Sequence, residues 1–182
     1  GDDDEKPAHT KYLDAFYIDK YEVTNALYRA CADVGGCTPP IRADALTRSS
    51  YYGDVNYDNY PVIYVDWNQA KVYCEWRGGN LPTEAQWEKA ARGTDQRRFP
   101  WGNKRTDQTL ANYDTNQGDT SAVGSYAEGI SPYGVYDMAG NVWEWVSDQY
   151  SADYYAGSPY RNPTGPVSGE GNVRRGGGWR SL

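Results

Sequence analysis

The 182-residue chain carries 18 Lys and Arg against 25 Asp and Glu, a net charge of −7, with its basic residues scattered. That balance excludes the continuous phosphate-tracking stripe of a nucleic-acid binder, and no apolar run approaches the roughly 20 residues of a membrane-spanning helix. The length suits a single domain over residues 1–182, and 18 Tyr and 7 Trp stand in for scarce aliphatic bulk, so the core should be aromatic, hydrogen-bonded and loop-rich.

"GDDDEKPAHT" reads as an acidic, solvated lead-in holding His9, the only histidine. One histidine leaves nothing to build a multi-His metal site with. "YLDAFYIDKYEV" alternates aromatic and polar positions and predicts a strand. Thr24 or Asn25 then caps a helix over "NALYRACADV", with Leu27, Ala30, Cys31 and Val34 on one face and Gly35 as its left-handed stop. Cys31 and Cys37 flank Gly35 and Gly36. Their spacing admits a disulfide, which would place the protein outside the reducing cytosol, or two free thiols on a cytosolic loop.

"TPPIRADALTRSSYYGDVNYDNYP" has no period and predicts a long surface loop. Its tyrosines, like those of "QYSADYYAGSPYRNP", suit either a contact surface or loop packing. Asp66 with Gln69 and Thr83 with Gln86 form two capping pairs, opening helices that stop at Gly78 and Gly93. From Phe99 onward short strands joined by turns are expected. Helices early and short strands late define an irregular α+β class.

Motifs for a nucleophile elbow, a phosphate loop or a dinucleotide fingerprint are absent. The informative stretch is "DMAGNVWEWVSD". On a strand, Glu144 shares a face with Val142 and Val146, and a carboxylate on an apolar stripe needs a cation or several donors. Asp137, ahead of Gly140 and Asn141, lies where a turn would bring it and the loop carbonyls towards Glu144. Such an all-oxygen set suits Ca²⁺ rather than a transition metal. The alternative is an ion pair between Glu144 and Arg174 or Arg175.

"FYIDKYEVTNALY", "YPVIYVDWNQAKVYCEWRGGNLPTEAQWEKAARG", "FPWGN", "YGVYDMAGNVWEWVSD" and "VRRGGGW" occur in the order and spacing of the formylglycine-generating enzyme, or sulfatase-modifying factor, family. From about Pro7 to Leu182 the chain resembles that family. The resemblance implies a low-regularity variant of the C-type-lectin-like fold, stabilised by calcium. It implies one Ca²⁺ held by Asp137, the carbonyls of Gly140 and Val142, and Glu144, and a second site at the Asn112 side chain and Tyr113 carbonyl, with Asp119 or Asp114 as its acid. Enzymes of the family bind copper through a cysteine pair and oxidise a substrate cysteine to formylglycine. The first of those cysteine positions falls on Ser181, and a hydroxyl is a poor Cu(I) ligand, so copper is not expected; the second would follow Leu182. Cys74 matches a helix cysteine that in some members pairs with a tail residue, and the family domain normally extends further at both ends, so the chain reads as trimmed. The resulting expectation is a calcium-stabilised, non-catalytic, extracytoplasmic module of bacterial type that binds a protein or glycan or assembles with other subunits. Its competitor is a copper-dependent oxidase that activates a sulfatase.

Overall fold

A computed structural model describes residues 9–181. Three helices begin where side chains can satisfy the first free N–H groups. In α1 (Asn25–Asp33) the Thr24 hydroxyl accepts from Leu27 N at 3.3 Å. Complete capping boxes open α2 (Trp67–Trp76), with Asp66 and Gln69, and α3 (Glu84–Arg92), with Thr83 and Gln86. Gly93, at φ 71°, ends α3.

The buried face of α1 differs from the one expected. Asn25, Tyr28 and Cys31 are inside, whereas Leu27 and Val34 are exposed. The helix packs through Tyr28, which stacks on Tyr73 of α2 at 5.4 Å, and through Asn25, whose amide donates to the Tyr57 carbonyl. An aromatic and an amide therefore set the face that aliphatic spacing had placed elsewhere.

Regular strand is scarcer than the sequence suggested. β1 (Glu144–Gln149) pairs antiparallel with β2 (Asn172–Arg175), with Glu144 opposite Arg175 and an irregularity between Trp145 and Gln149. A one-turn helix, α4 (Tyr154–Gly157), lies between them in sequence. Residues 12–23, read as strand, form no ladder: Tyr12 makes an isolated bridge with Arg161, Thr24 just past the stretch makes one with Pro61, and the stretch after Phe99 adds one between Phe99 and Gly102. Side chains meet backbone groups that a ladder would have paired: Asp14 N donates to Asn162 Oδ1 and Val142 N to Glu22 Oε1.

Two cores result. Trp87, Ala90 and Ala91 of α3 pack with Val135, Met138 and Val146, while Tyr28 and Tyr73 pack with Cys31 and Cys37, which a disulfide joins. Two indoles tie the halves together: Trp67 Nε1 donates to the Val146 carbonyl (2.7 Å) and Trp145 Nε1 to the Val65 carbonyl (3.1 Å). The tyrosines of the 38–61 loop turn inward. Tyr51, Tyr57 and Tyr60 surround the Arg48 guanidinium, and the Tyr51 hydroxyl donates to the Pro61 carbonyl. Among the described residues no helix is long and apolar enough to cross a membrane.

Candidate metal centre

The segment entering β1 turns through three left-handed residues, Asp137 (φ 57°), Gly140 (φ 88°) and Asn141 (φ 56°). Gly140 is dictated by crowding as well as by φ, because a Cβ there would collide with the Asn112 carbonyl. That close approach lets Asn141 N donate to Asn112 O at 2.8 Å.

Asp137 is buried, and its Oδ2 accepts from Gly124 N at 2.6 Å. Glu144 opens β1, and its Oε2 accepts from the Trp87 indole of α3 at 3.0 Å. Burial pushes the Glu144 carboxyl up to about 7; the indole bond opposes this and the Asp137 charge adds to it. Burial raises Asp137 too. Of the two arginines weighed as partners of Glu144, Arg175 meets Glu84 (3.3 Å) and Glu88 (3.5 Å), and Arg174 lies over the Trp143 ring.

A third carboxylate completes the neighbourhood. Glu22, from the segment before α1, accepts from Asn141 Nδ2 (2.5 Å) and Val142 N (3.1 Å). Burial pushes it well up, and the charges of Asp137 and Glu144 push it further. Sequence reading had passed over Glu22, although the argument made for Glu144 applied to it, since Glu22 alternates in phase with Phe16 and Ile18. Buried carboxylates that raise one another's proton affinity are unfavourable as anions unless a cation compensates them.

The donors present fit a hard cation. Among the described residues no loop N–H is bonded to the carbonyls of Gly140 or Val142. No three His, Cys, Asp or Glu side chains there could hold a metal alone, so backbone oxygens must complete any set. Asp137, Glu144 and those two carbonyls supply oxygen only, the chemistry of Ca²⁺.

The second expected site divides. Asn112 is buried, its Nδ2 donating to Asp119 O (2.9 Å) and Asn141 Oδ1 (3.2 Å), while its Oδ1 has no protein partner. That oxygen fits a cation ligand. The Tyr113 carbonyl accepts from Asn116 N, and Asp114 is exposed, with its N–H bonded to Ser181 O. Asp119 is committed elsewhere. Its Oδ2 accepts from Thr47 N and Oγ1, its Oδ1 accepts from Thr120 N, and an Arg48 nitrogen lies 3.7 Å from Oδ1. Arg48 also donates to Thr120 Oγ1 and O. A cation taking Asp119 would displace this internal guanidinium.

Residues 1–182 match the family described as the Sulfatase-modifying factor enzyme 1-like domain. The chain belongs to that family. The formylglycine-generating enzyme of Thermomonospora curvata is 33% identical over 226 residues, covering 97% of this chain and 75% of that enzyme. The serine/threonine-protein kinase pkn1 of Chlamydia caviae is 37% identical over 195 residues, covering all of this chain but 31% of the kinase, so the chain spans about a third of that relative. Among solved structures, PvdO from Pseudomonas aeruginosa superimposes with a TM-score of 0.78 at 28% identity, over all of this chain and 75% of that one. The irregular α+β architecture expected from the sequence is thus the fold of the family.

In this sulfatase-modifying factor chain the position expected for the first copper-binding cysteine is a turn residue. Ser181 N donates to Gly178 O (2.8 Å), and its Oγ accepts from Gly178 N (2.9 Å). Cys74, the one free cysteine, is half-buried, and burial, with a contribution from Asp19, pushes its thiol up to about 11. It is a protonated thiol at neutral pH. His9 is exposed and lies against Ser158 Oγ and the Tyr155 ring.

Proposed function

We propose that this chain is a calcium-stabilised, non-catalytic module of an extracytoplasmic protein, serving to bind a protein or glycan or to assemble with other subunits. The observation that carries the reading is Ser181. Where the family's oxidases require a thiolate, this chain has a hydroxyl already bonded within the Gly178–Ser181 turn, and a hydroxyl binds Cu(I) poorly. The buried Asp137 and half-buried Glu144 support the calcium part, because a divalent cation would offset the cost of desolvating both anions. The Cys31–Cys37 disulfide supports a compartment outside the reducing cytosol. The chlamydial kinase, in which the similar stretch is 31% of the length, supports a module carried within a larger polypeptide.

Calcium is tested by melting. A ligand present at 100 times its Kd adds about 2.7 kcal/mol, and a domain of this size shifts by roughly 2–4 °C per kcal/mol. Chelator should therefore lower the melting temperature by roughly 5–10 °C, and Glu144→Ala should abolish the difference. Identical curves with calcium and with chelator would reject calcium.

A second reading, the copper-dependent oxidase, is favoured by 33% identity across 97% of the chain to a formylglycine-generating enzyme. Competitive Cu(I) titration and a thiol assay on a cysteine-containing sulfatase peptide separate the two. The module should hold no tight Cu(I) and leave the thiol count unchanged; tight binding with oxidation of the peptide would establish the enzyme.

A further inference from the structure

Glu22 is an acid with both oxygens occupied in a place where cation ligands are expected. Its partners lie 119 and 120 residues away, the Asn141 amide and the Val142 N–H. Each oxygen of Glu22 accepts one of these donors, and together the two bonds brace the left-handed turn at Asn141.

We propose that Glu22 is a positioning residue for the cation site, holding the Asn141–Val142 peptide so that the flanking carbonyls of Gly140 and Val142 keep a fixed spacing from Asp137 and Glu144. The inference rests on the calcium reading above. A planar peptide moves as one rigid unit. The Asn141–Val142 unit is gripped at both ends, its N–H by Glu22 and its carbonyl by Trp179 N at 2.8 Å. The preceding unit is gripped at its N–H, which donates to Asn112 O at 2.8 Å, while the Gly140 carbonyl receives no loop donor among the described residues.

The Asn141 side chain is fully used. Its Oδ1 accepts from Asn112 Nδ2 (3.2 Å), Ser121 N (2.9 Å) and Ser121 Oγ (3.1 Å), and its Nδ2 donates to Glu22 and to the Ser121 carbonyl (3.3 Å). With three donors on Oδ1, the amide needs an acceptor on its other side, and a carboxylate is the strongest one available. Asn141 holds a left-handed φ of 56°, a conformation with some cost for any residue but glycine. Without Glu22 that cost and an orphaned Val142 N–H would both favour relaxing the turn. Partners behind a metal's ligands typically control about 10–100-fold in affinity.

The experiment titrates calcium calorimetrically into the chelator-stripped 182-residue chain, as wild type, Glu22→Gln, Glu22→Ala and Glu144→Ala. Glutamine keeps an acceptor for Val142 N but turns an NH₂ towards the Asn141 amide, so Glu22→Gln should weaken calcium by about 10-fold, and Glu22→Ala by more. The melting difference between calcium and chelator should shrink in the same order. A Glu22→Gln protein that binds calcium like wild type, even if it melts lower, would overturn the proposal and leave Glu22 a purely structural acid. Wild type that binds no calcium would instead remove the calcium reading, and the proposal with it. Hydrogen exchange on wild type needs no variant: calcium should slow the Val142 amide, and an unchanged rate in a chain that binds calcium would also overturn the proposal.

Discussion

At the scale of single residues, the chain distinguishes acids by what has already claimed their lone pairs. Glu144 and Asp137 keep coordination capacity behind one protein donor each, whereas both oxygens of Asp119 are spent on Thr47 and Thr120, with Arg48 beside them. The Asp119 side chain is 1% exposed and that of Arg48 17%. Removing one member of a buried pair strands the other, at about 3–5 kcal/mol. Asp119→Asn should therefore cost about 3 kcal/mol in urea denaturation while leaving unchanged the calcium affinity proposed for the Glu144 site. An equal loss of calcium binding and stability would return Asp119 to the ligands.

Among elements, α3 carries the most charge chemistry. Thr83 and Gln86 fix its start, which commits Glu84 at the first position to a buried corner with Arg175, the Tyr155 hydroxyl and Asp148. Burial pushes Glu84 up to about 7 from 4.5, outweighing the opposing Arg175 charge. The folded state then holds that proton more tightly than the unfolded one. This contribution to stability is fully present below about pH 4.5 and is lost as pH rises through 7, reaching ~3 kcal/mol. With calcium present in excess, so that Glu144 stays ionised if it is the ligand proposed above, wild type should lose stability relative to Glu84→Gln between pH 5 and pH 8. A pH-independent difference between the two would mean that Glu84 is ionised throughout.

Over the whole molecule, the two cores hold together through polar crossings as well as apolar contact. Trp67 at the start of α2 and Trp145 in β1 each donate an indole N–H to a carbonyl in the other's neighbourhood. A hydrogen bond of this kind contributes about 1 kcal/mol, and a stranded acceptor costs more. Trp67→Phe and Trp145→Phe should each destabilise by about 1–2 kcal/mol, and a double-mutant cycle should show coupling because both bonds span the same gap. Strict additivity would show that the halves are fastened elsewhere.

The helix starts were readable because capping is local: Thr24, Asp66 and Thr83 each bond within three residues of themselves. Glu144 and Asp137 were readable for a related reason, since an acid on an apolar face and a glycine turn are both short-range patterns. The buried face of α1, the loss of the strand over 12–23, the inward turn of the 38–61 tyrosines and the place of Glu22 were decided by partners far along the chain, such as Tyr73 for Tyr28, Thr120 for Arg48 and Val142 for Glu22. Local pattern in the sequence was enough for the class, the family and the two acids Asp137 and Glu144, but not for Glu22. Folding decided which acid faces an internal arginine, which accepts the Val142 N–H and which keep a single protein donor, because a carboxylate's role depends on which donors reach it once the chain has folded.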